Sequence, residues 1–504
     1  MTKLGISVAM VLGVAGVACT FDAWAADVMP IKAKPPAAAS ASEPAPCTSS
    51  WDFIATNCPL TWQGITVYGA LDVGGGWQSH GAPFDSRFPT GASYYIQKMN
   101  RSAMWALAPN AMSQSSIGIK GKEPIGGDVS FVFALDAGFN PYSLRLSDGP
   151  GSLYANAGIP LNQQTVNGDS SRAGQWFNGQ GYAGLSSPSY GTLTVFRQNS
   201  LTFDGVIAYD PMGASYAFSP LGFSGITCGV GNTEACRYST SAKYLINVGQ
   251  FRAAALWQFG GYAQNNGSNG AYQVQVGADI PNLANGVLSV DAIYSYVRDA
   301  VSLSLGPGSN DAAGMPIPPF LPQTLTATFS DNSGVMLLGK YAVGPLKLYA
   351  GYEWIRFTAP SDPQTAFTDI GGDFICGGCA AFNNTNISNT AYGVNGLGNK
   401  NLQVMWTGAR YAVSENLDVM AAYYHYMQNS FFGTAAGGPA PCSDSSHSQC
   451  AGTFDGFSAA VDWRFAPKWD VYLGVMFTQV SGGLANGYLQ HSNVDPTVGL
   501  RFRF

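Results

Sequence analysis

The chain is 504 residues long, 46% hydrophobic and 11% charged, where soluble domains average about a quarter charged, so a hydrated charged surface is not what holds it in place. Its net charge of −6 provides no basic footprint and argues against nucleic acid as a partner. Glycine, tyrosine, phenylalanine and tryptophan, at 62, 25, 28 and 11 residues, favour strands, tight turns and aromatic girdles over helices.

Length alone would allow about three domains at roughly 150 residues each, yet strand-like segments and turns recur at similar spacing from Thr61 to the C-terminus without a boundary. The organisation read from the sequence is a signal peptide over 1–25, a Pro/Ala-rich N-terminal segment over 26–60 and one β-domain over 61–504. The signal consists of Lys3, the apolar run Leu4–Ala18 and the small-residue cleavage site Ala23-Trp24-Ala25, too short to span a bilayer as a helix. Cys19 invites a lipoprotein reading, but Gly16-Val17-Ala18 lacks the Leu that usually precedes a lipidated cysteine. Asp27–Pro46, rich in Pro and Ala, reads as an extended or disordered tail. Beyond Ala25 there is no apolar run of about 20 residues. An exported chain of this kind is a secreted β-protein or a membrane barrel.

A period of two begins near Thr61. Ile65, Val67, Leu71 and Val73 share one face, and Thr66, Tyr68 and Asp72 the other. Leu288, Val290, Tyr294 and Tyr296 oppose Ser289, Asp291 and Ser295, and Leu346, Leu348, Tyr352 and Trp354 oppose Lys347 and Glu353. Phe457, Val461, Trp463 and Phe465 oppose Ser458, Asp462 and Arg464; Val471, Leu473, Val475 and Phe477 oppose Asp470 and Thr478. The ionisable residues keep to the polar face, as a bilayer enforces at about 2–4 kcal/mol per charge near its midplane. A soluble sandwich also alternates, so periodicity alone leaves both open. Leu325–Tyr341 and Leu402–Tyr411 have ambiguous parity.

Connections separate the two readings. Short ones (Glu123–Asp128, Pro188–Gly191, Asn247–Gln250, Asn282–Gly286, Gly344-Pro345, Ser414–Asn416, Pro467–Trp469) alternate with long ones (His80–Met112, Asn140–Gln175, Asn199–Cys236, Ser302–Gln323, Ala359–Lys400, Phe432–Thr453). Short periplasmic turns and long extracellular loops are the habit of an outer-membrane barrel, and the strands between them number about sixteen, the range in which the lumen stays an aqueous channel. The fold class is therefore all-β, a transmembrane antiparallel barrel. The last strand agrees: Val498, Leu500, Phe502 and Phe504 fall on one face, Thr497, Gly499, Arg501 and Arg503 on the other, so arginines face a wet lumen and phenyl rings face lipid.

Thr66-Val67-Tyr68-Gly69-Ala70-Leu71-Asp72 resembles the first strand of the trimeric general porins of Gram-negative outer membranes. Ser115–Phe139 is similar to their second and third strands, and Phe177–Ser186 and Gly191–Gln198 to the fourth and fifth; the likeness is good over Ile65–Asp204 and weaker beyond. It implies a sixteen-stranded barrel, a homotrimer, and a third long loop folded inward to narrow the pore. That loop is Asn199–Cys236. Its acidic candidates for the constriction are Asp204 and Asp210, with Asp136 on the wall and Phe203, Tyr209, Tyr216 and Phe218 as aromatic neighbours; the basic candidates are Arg197, Lys120 and Arg101. Asp204-Gly205 and Asp210-Pro211 also suit turns, and both roles can hold. Asp72, Asp462, Arg464, Arg501 and Arg503 are expected to face the lumen. Ser116 and Gly179 stand where the family often carries Arg, which implies weak or cation-leaning selectivity.

Of the nine cysteines, all but Cys19 fall into local pairs, Cys47–Cys58, Cys228–Cys236, Cys376–Cys379 and Cys442–Cys450, expected to be disulfides in an oxidising compartment. A metal or redox reading of Cys376-Gly-Gly-Cys379 lacks further ligands or a helix. His80, His425, His447 and His491 show no metal spacing, and no G-x-S-x-G, H-E-x-x-H or Walker sequence is present, so neither cofactor nor metal is expected. The favoured function is a passive channel for small hydrophilic solutes and ions, embedded in outer-membrane lipid and lipopolysaccharide. The alternatives are a pore specific for a sugar or organic acid, a receptor or adhesin working through its long loops, and a barrel-embedded hydrolase.

Overall fold

Ribbons with one apolar and one polar face can satisfy every backbone group inside a bilayer only by closing on themselves, and these strands do so. A computed structural model of the chain describes residues 47–81, 94–96, 100–144, 146, 176–221, 237–261, 268–303, 325–358, 361–362, 399–430, 451–485 and 488–504. The strands are β1 (Leu60–Trp62), β2 (Ile65–Gly81), β3 (Ser102–Leu107), β4 (Ser116–Gly126), β5 (Val129–Gly138), β6 (Gly181–Ser187), β7 (Gly191–Asn199), β8 (Arg237–Val248) and β9 (Phe251–Gln258). They continue as β10 (Gly270–Leu283), β11 (Gly286–Leu303), β12 (Leu325–Val343), β13 (Leu346–Thr358), β14 (Lys400–Ser414), β15 (Leu417–Gln428), β16 (Gly452–Ala466), β17 (Trp469–Gly482) and β18 (Ser492–Arg503).

Sixteen of them, β2 and β4 to β18, form one antiparallel ring in chain order. It closes where β18 meets β2, from Thr497 opposite Gly76 to Arg503 opposite Ala70. The two extra strands are local: β1 folds back on the start of β2, and β3 takes the edge of β2 from Gly75 to Gly81, above the stretch that β4 occupies. The expected loop His80–Met112 thus contains a strand. All seven short connections fall between hydrogen-bonded neighbours, β4–β5 through β16–β17. At one of them Gly344, with φ 53°, adopts the left-handed conformation that closes a two-residue turn.

The faces follow the period of two. On β17 Asp470 and Tyr472 are fully buried, whereas Leu473 is 58% exposed. Trp463, Phe465, Trp469, Phe502 and Phe504 gather at the periplasmic end of the outward face and Trp257, Phe259, Tyr272, Tyr294 and Tyr296 at the other, the two aromatic girdles of a membrane barrel. No helix among the described residues is long and apolar enough to cross a membrane; the chain crosses with strands. Within the 26–60 segment a short helix, α1 (Ser50–Ala55), forms inside the Cys47–Cys58 disulfide. Its Phe53 sits edge-on to Phe502 and Phe504, 5.7 and 5.6 Å between centroids, and Lys468 donates to the carbonyls of Phe53 and Cys58 at 2.8 Å. Residues 1–46, with the expected signal peptide and tail, lie outside the described residues, as do Cys228, Cys236, Cys376, Cys379, Cys442 and Cys450.

Candidate functional site

The third long loop leaves β7 and enters the barrel. Ser200 caps a helix, α2 (Leu201–Tyr209), its hydroxyl accepting from Phe203 N at 3.0 Å. Leu201, Thr202, Gly205, Val206 and Tyr209 are buried against the wall of β10–β13. Gly205 permits the approach, because a Cβ there would stand 2.8 and 2.9 Å from methyl carbons of Leu338 and Ile293. Gln273 accepts from Leu201 N at 2.6 Å, and Trp406 and Lys340 donate to the carbonyls of Tyr209 and Ala208 at 3.1 and 3.3 Å, which satisfies both helix ends. The Tyr209 hydroxyl donates to Asp291, and Arg252 donates to both. Beyond α2, the Tyr424 hydroxyl donates to Asp210 at 2.7 Å and Ser458 to the Phe218 carbonyl at 2.6 Å. The first long loop also packs inside: Ile96 N donates to Thr478 at 2.8 Å, and Asp72 accepts from the Met112 and Ser113 amides at 2.8 and 2.7 Å.

Between the described residues of these loops and the wall lies a passage with a cavity volume of about 110 Å³. On the wall side Arg410, Arg464, Arg501 and Arg503 line it with Asp462 and Asp136; on the loop side Phe203, Ile207, Met212 and Tyr216 line it, and Arg237 stands between. Carboxylates behind the arginines aim them inward. Asp470 takes Arg501 at 3.1 Å and Arg503 at 2.9 Å, and Asp418 takes Arg410 at 2.7 Å and Arg464 at 2.9 Å. Each guanidinium fork fits a carboxylate and holds one orientation.

The sequence profile of the Gram-negative porins matches residues 31–483. The chain belongs to the Gram-negative porin family. An outer membrane porin protein of Bordetella pertussis is 25% identical over 180 residues, 36% of this chain and 38% of that protein, so the match spans less than half of that relative's length. Among solved structures, an anion-selective porin from Comamonas acidovorans aligns with a TM-score of 0.53 at 15% identity, covering 87% of this porin and 99% of that chain. OmpT of Vibrio cholerae, expressed in the outer membrane, gives 0.50 at 12% identity over 88% and 100%. These structural likenesses are of fold. The porin is an outer-membrane β-barrel, and its third and first long loops both reach into the lumen.

Of the porin's eleven expected charged residues, five line the passage: Asp136, Asp462, Arg464, Arg501 and Arg503. The other six sit elsewhere. Arg101 stands just ahead of β3, its amide donating to the Gly81 carbonyl at 3.0 Å. Asp72 is fully buried beneath the first loop, with Tyr472 donating to it. Asp204 is ion-paired to Lys243 on β8. Asp210 is buried and also accepts from the Met212 and Ala214 amides at 3.2 and 2.8 Å, which is turn chemistry. Arg197 spends its donors on the Gly179 and Asn178 carbonyls and Ser239 at 2.9–3.0 Å. Lys120 lies over the Tyr68 ring, 5.3 Å from its centroid. A Cβ at Gly179 would fall on the Asp136 carboxylate, so a side chain there requires Asp136 to move. Arg410, Arg237, Asp418 and the loop-docking Trp406 and Tyr424 were missed. Arg410 and Trp406 lie in the stretch of ambiguous parity. Among the described residues no group of three His, Cys, Asp or Glu side chains is disposed to hold a metal ion.

Proposed function

We propose that the barrel is a water-filled channel through which small hydrophilic solutes and ions diffuse passively, screened by size and weakly by charge at the passage between the third loop and the arginine wall. The observation that carries this is the charged passage inside a closed ring whose outer face is apolar. Asp136, Asp462, Arg464, Arg501 and Arg503 act as lining residues; Arg197, Asp204, Asp210, Lys120 and Asp72 position the elements around them. The charge balance supports an anion-leaning channel, because five guanidinium groups and two carboxylates line the passage. The cation-leaning expectation rested on two positions, Ser116 and Gly179, whose missing charge is outweighed by arginines from β8, β14, β16 and β18. The Comamonas relative is described as anion-selective. Screening over about 8–10 Å at physiological salt keeps the preference to a few-fold.

The mature chain is proposed to begin after Ala25, to assemble as a homotrimer, and to meet outer-membrane lipid and lipopolysaccharide on its apolar face. It is read as a channel and not as an enzyme. Planar-bilayer recordings test this. Ohmic conductance in steps of three and a reversal potential favouring anions across a potassium chloride gradient are expected; absent conductance would overturn the channel, and a cation-favouring potential the charge reading.

A further inference from the structure

The water-facing side of α2 is the wrong kind of surface for a helix in an aqueous channel. Leu201, Gly205, Val206 and Tyr209 go to the wall; Phe203, Asp204, Ile207 and Ala208 are half-buried, and of these Phe203 and Ile207 line the passage, at i and i+4 and so side by side. A helix face that only meets water is ordinarily polar. The loop carboxylates among the described residues are engaged elsewhere: Asp204 pairs with Lys243 and Asp210 is held by Tyr424. Met212 and Tyr216 extend the apolar surface beyond the helix. The passage therefore presents grease on the loop and guanidinium groups on the wall, and neither a sugar nor a bare inorganic ion uses both.

We propose that this constriction favours organic anions in which a carboxylate is joined to an aromatic or alicyclic ring, the carboxylate drawn to the arginine wall at Arg464 and Arg501 and the ring lying against Phe203 and Ile207. The proposal rests on the channel reading and names its solute class. A ring on an aromatic face gains from stacking as well as from leaving water, while a carboxylate beside a wall of guanidinium groups gains from their positive charge. A hydrophilic anion of the same charge, such as acetate, gets only the second interaction. A neutral ring, such as benzyl alcohol, gets only the first.

The test is block of potassium chloride current through the full-length porin in planar bilayers by benzoate, cyclohexanecarboxylate, acetate and benzyl alcohol. Benzoate and cyclohexanecarboxylate are expected to reach half-block at about tenfold lower concentration than acetate, the size of effect one ring contact supplies, with benzyl alcohol no better than acetate. Phe203→Ala should remove most of that advantage while leaving acetate unchanged, and Arg464→Gln should weaken block by both acids alike. Equal block by acetate and benzoate in the unmodified channel overturns the proposal and leaves the channel standing. Block by benzyl alcohol as strong as by benzoate also overturns it. No chloride current at all overturns the channel reading itself.

Discussion

At the scale of single residues, the lumen is organised by carboxylates that solutes do not meet. Asp470 is fully buried and serves Arg501 and Arg503 together. Asp470→Asn leaves two guanidinium groups sharing a neutral partner, and removing one member of a buried pair costs about 3–5 kcal/mol; a lower unfolding midpoint and a stronger anion preference in reversal potential are expected together. Asp210 makes a pH prediction. Burial is the largest influence and holds its pKa above the usual carboxylate value, against the donors Tyr424, Ser219 and the Ala214 and Met212 amides. A raised carboxyl contributes stability below its unfolded pKa and loses it as pH rises through the folded value. Thermal midpoints should thus fall with pH over that window, and Asp210→Asn should flatten the fall. At Gly179 the place a Cβ would take is occupied by the Asp136 carboxylate.

At the scale of elements, the two ambiguous strands were ambiguous for a reason. Inward residues Met336 and Leu338 on β12, and Leu402, Val404 and Trp406 on β14, are buried in the apolar cluster that receives α2 and the rest of the third loop. Their inner face is as greasy as their outer one, so a period of two leaves no polar trace, and Arg410 could not be assigned a side. The α1 clasp was equally illegible. Six helical residues in a Pro/Ala-rich segment carry little intrinsic helicity; what holds them is the Cys47–Cys58 bond and the rings of the closing strand. The double variant Cys47→Ser, Cys58→Ser should lose about 2–3 kcal/mol from loop closure, read as a lower thermal midpoint, with single-channel conductance largely unchanged because the clasp sits outside the passage.

At the scale of the whole molecule, the ring converts a weak pattern in each strand into a strong constraint, because every outward position must meet the same medium. Ala459 lies on the outward face of β16, midway between Trp463 and Asp455. Ala459→Arg should cost about 2–4 kcal/mol in folding into lipid vesicles, measured by urea titration, and Ala459→Leu should cost little. The sequence by itself determined the medium, the strand count, the seven tight turns and the side on which most charges stand, since a period of two, the turn residues and the sparse charge are local properties written in order along the chain. The tertiary structure alone decided which of those charges line the passage, since that depends on where the third loop, described as far as Leu221, crosses the lumen and which walls it covers. The crossing is set by shape, Gly205 against Leu338 and Ile293, Asp210 under Tyr424, and contacts between residues so far apart in the chain leave no periodic mark in either partner.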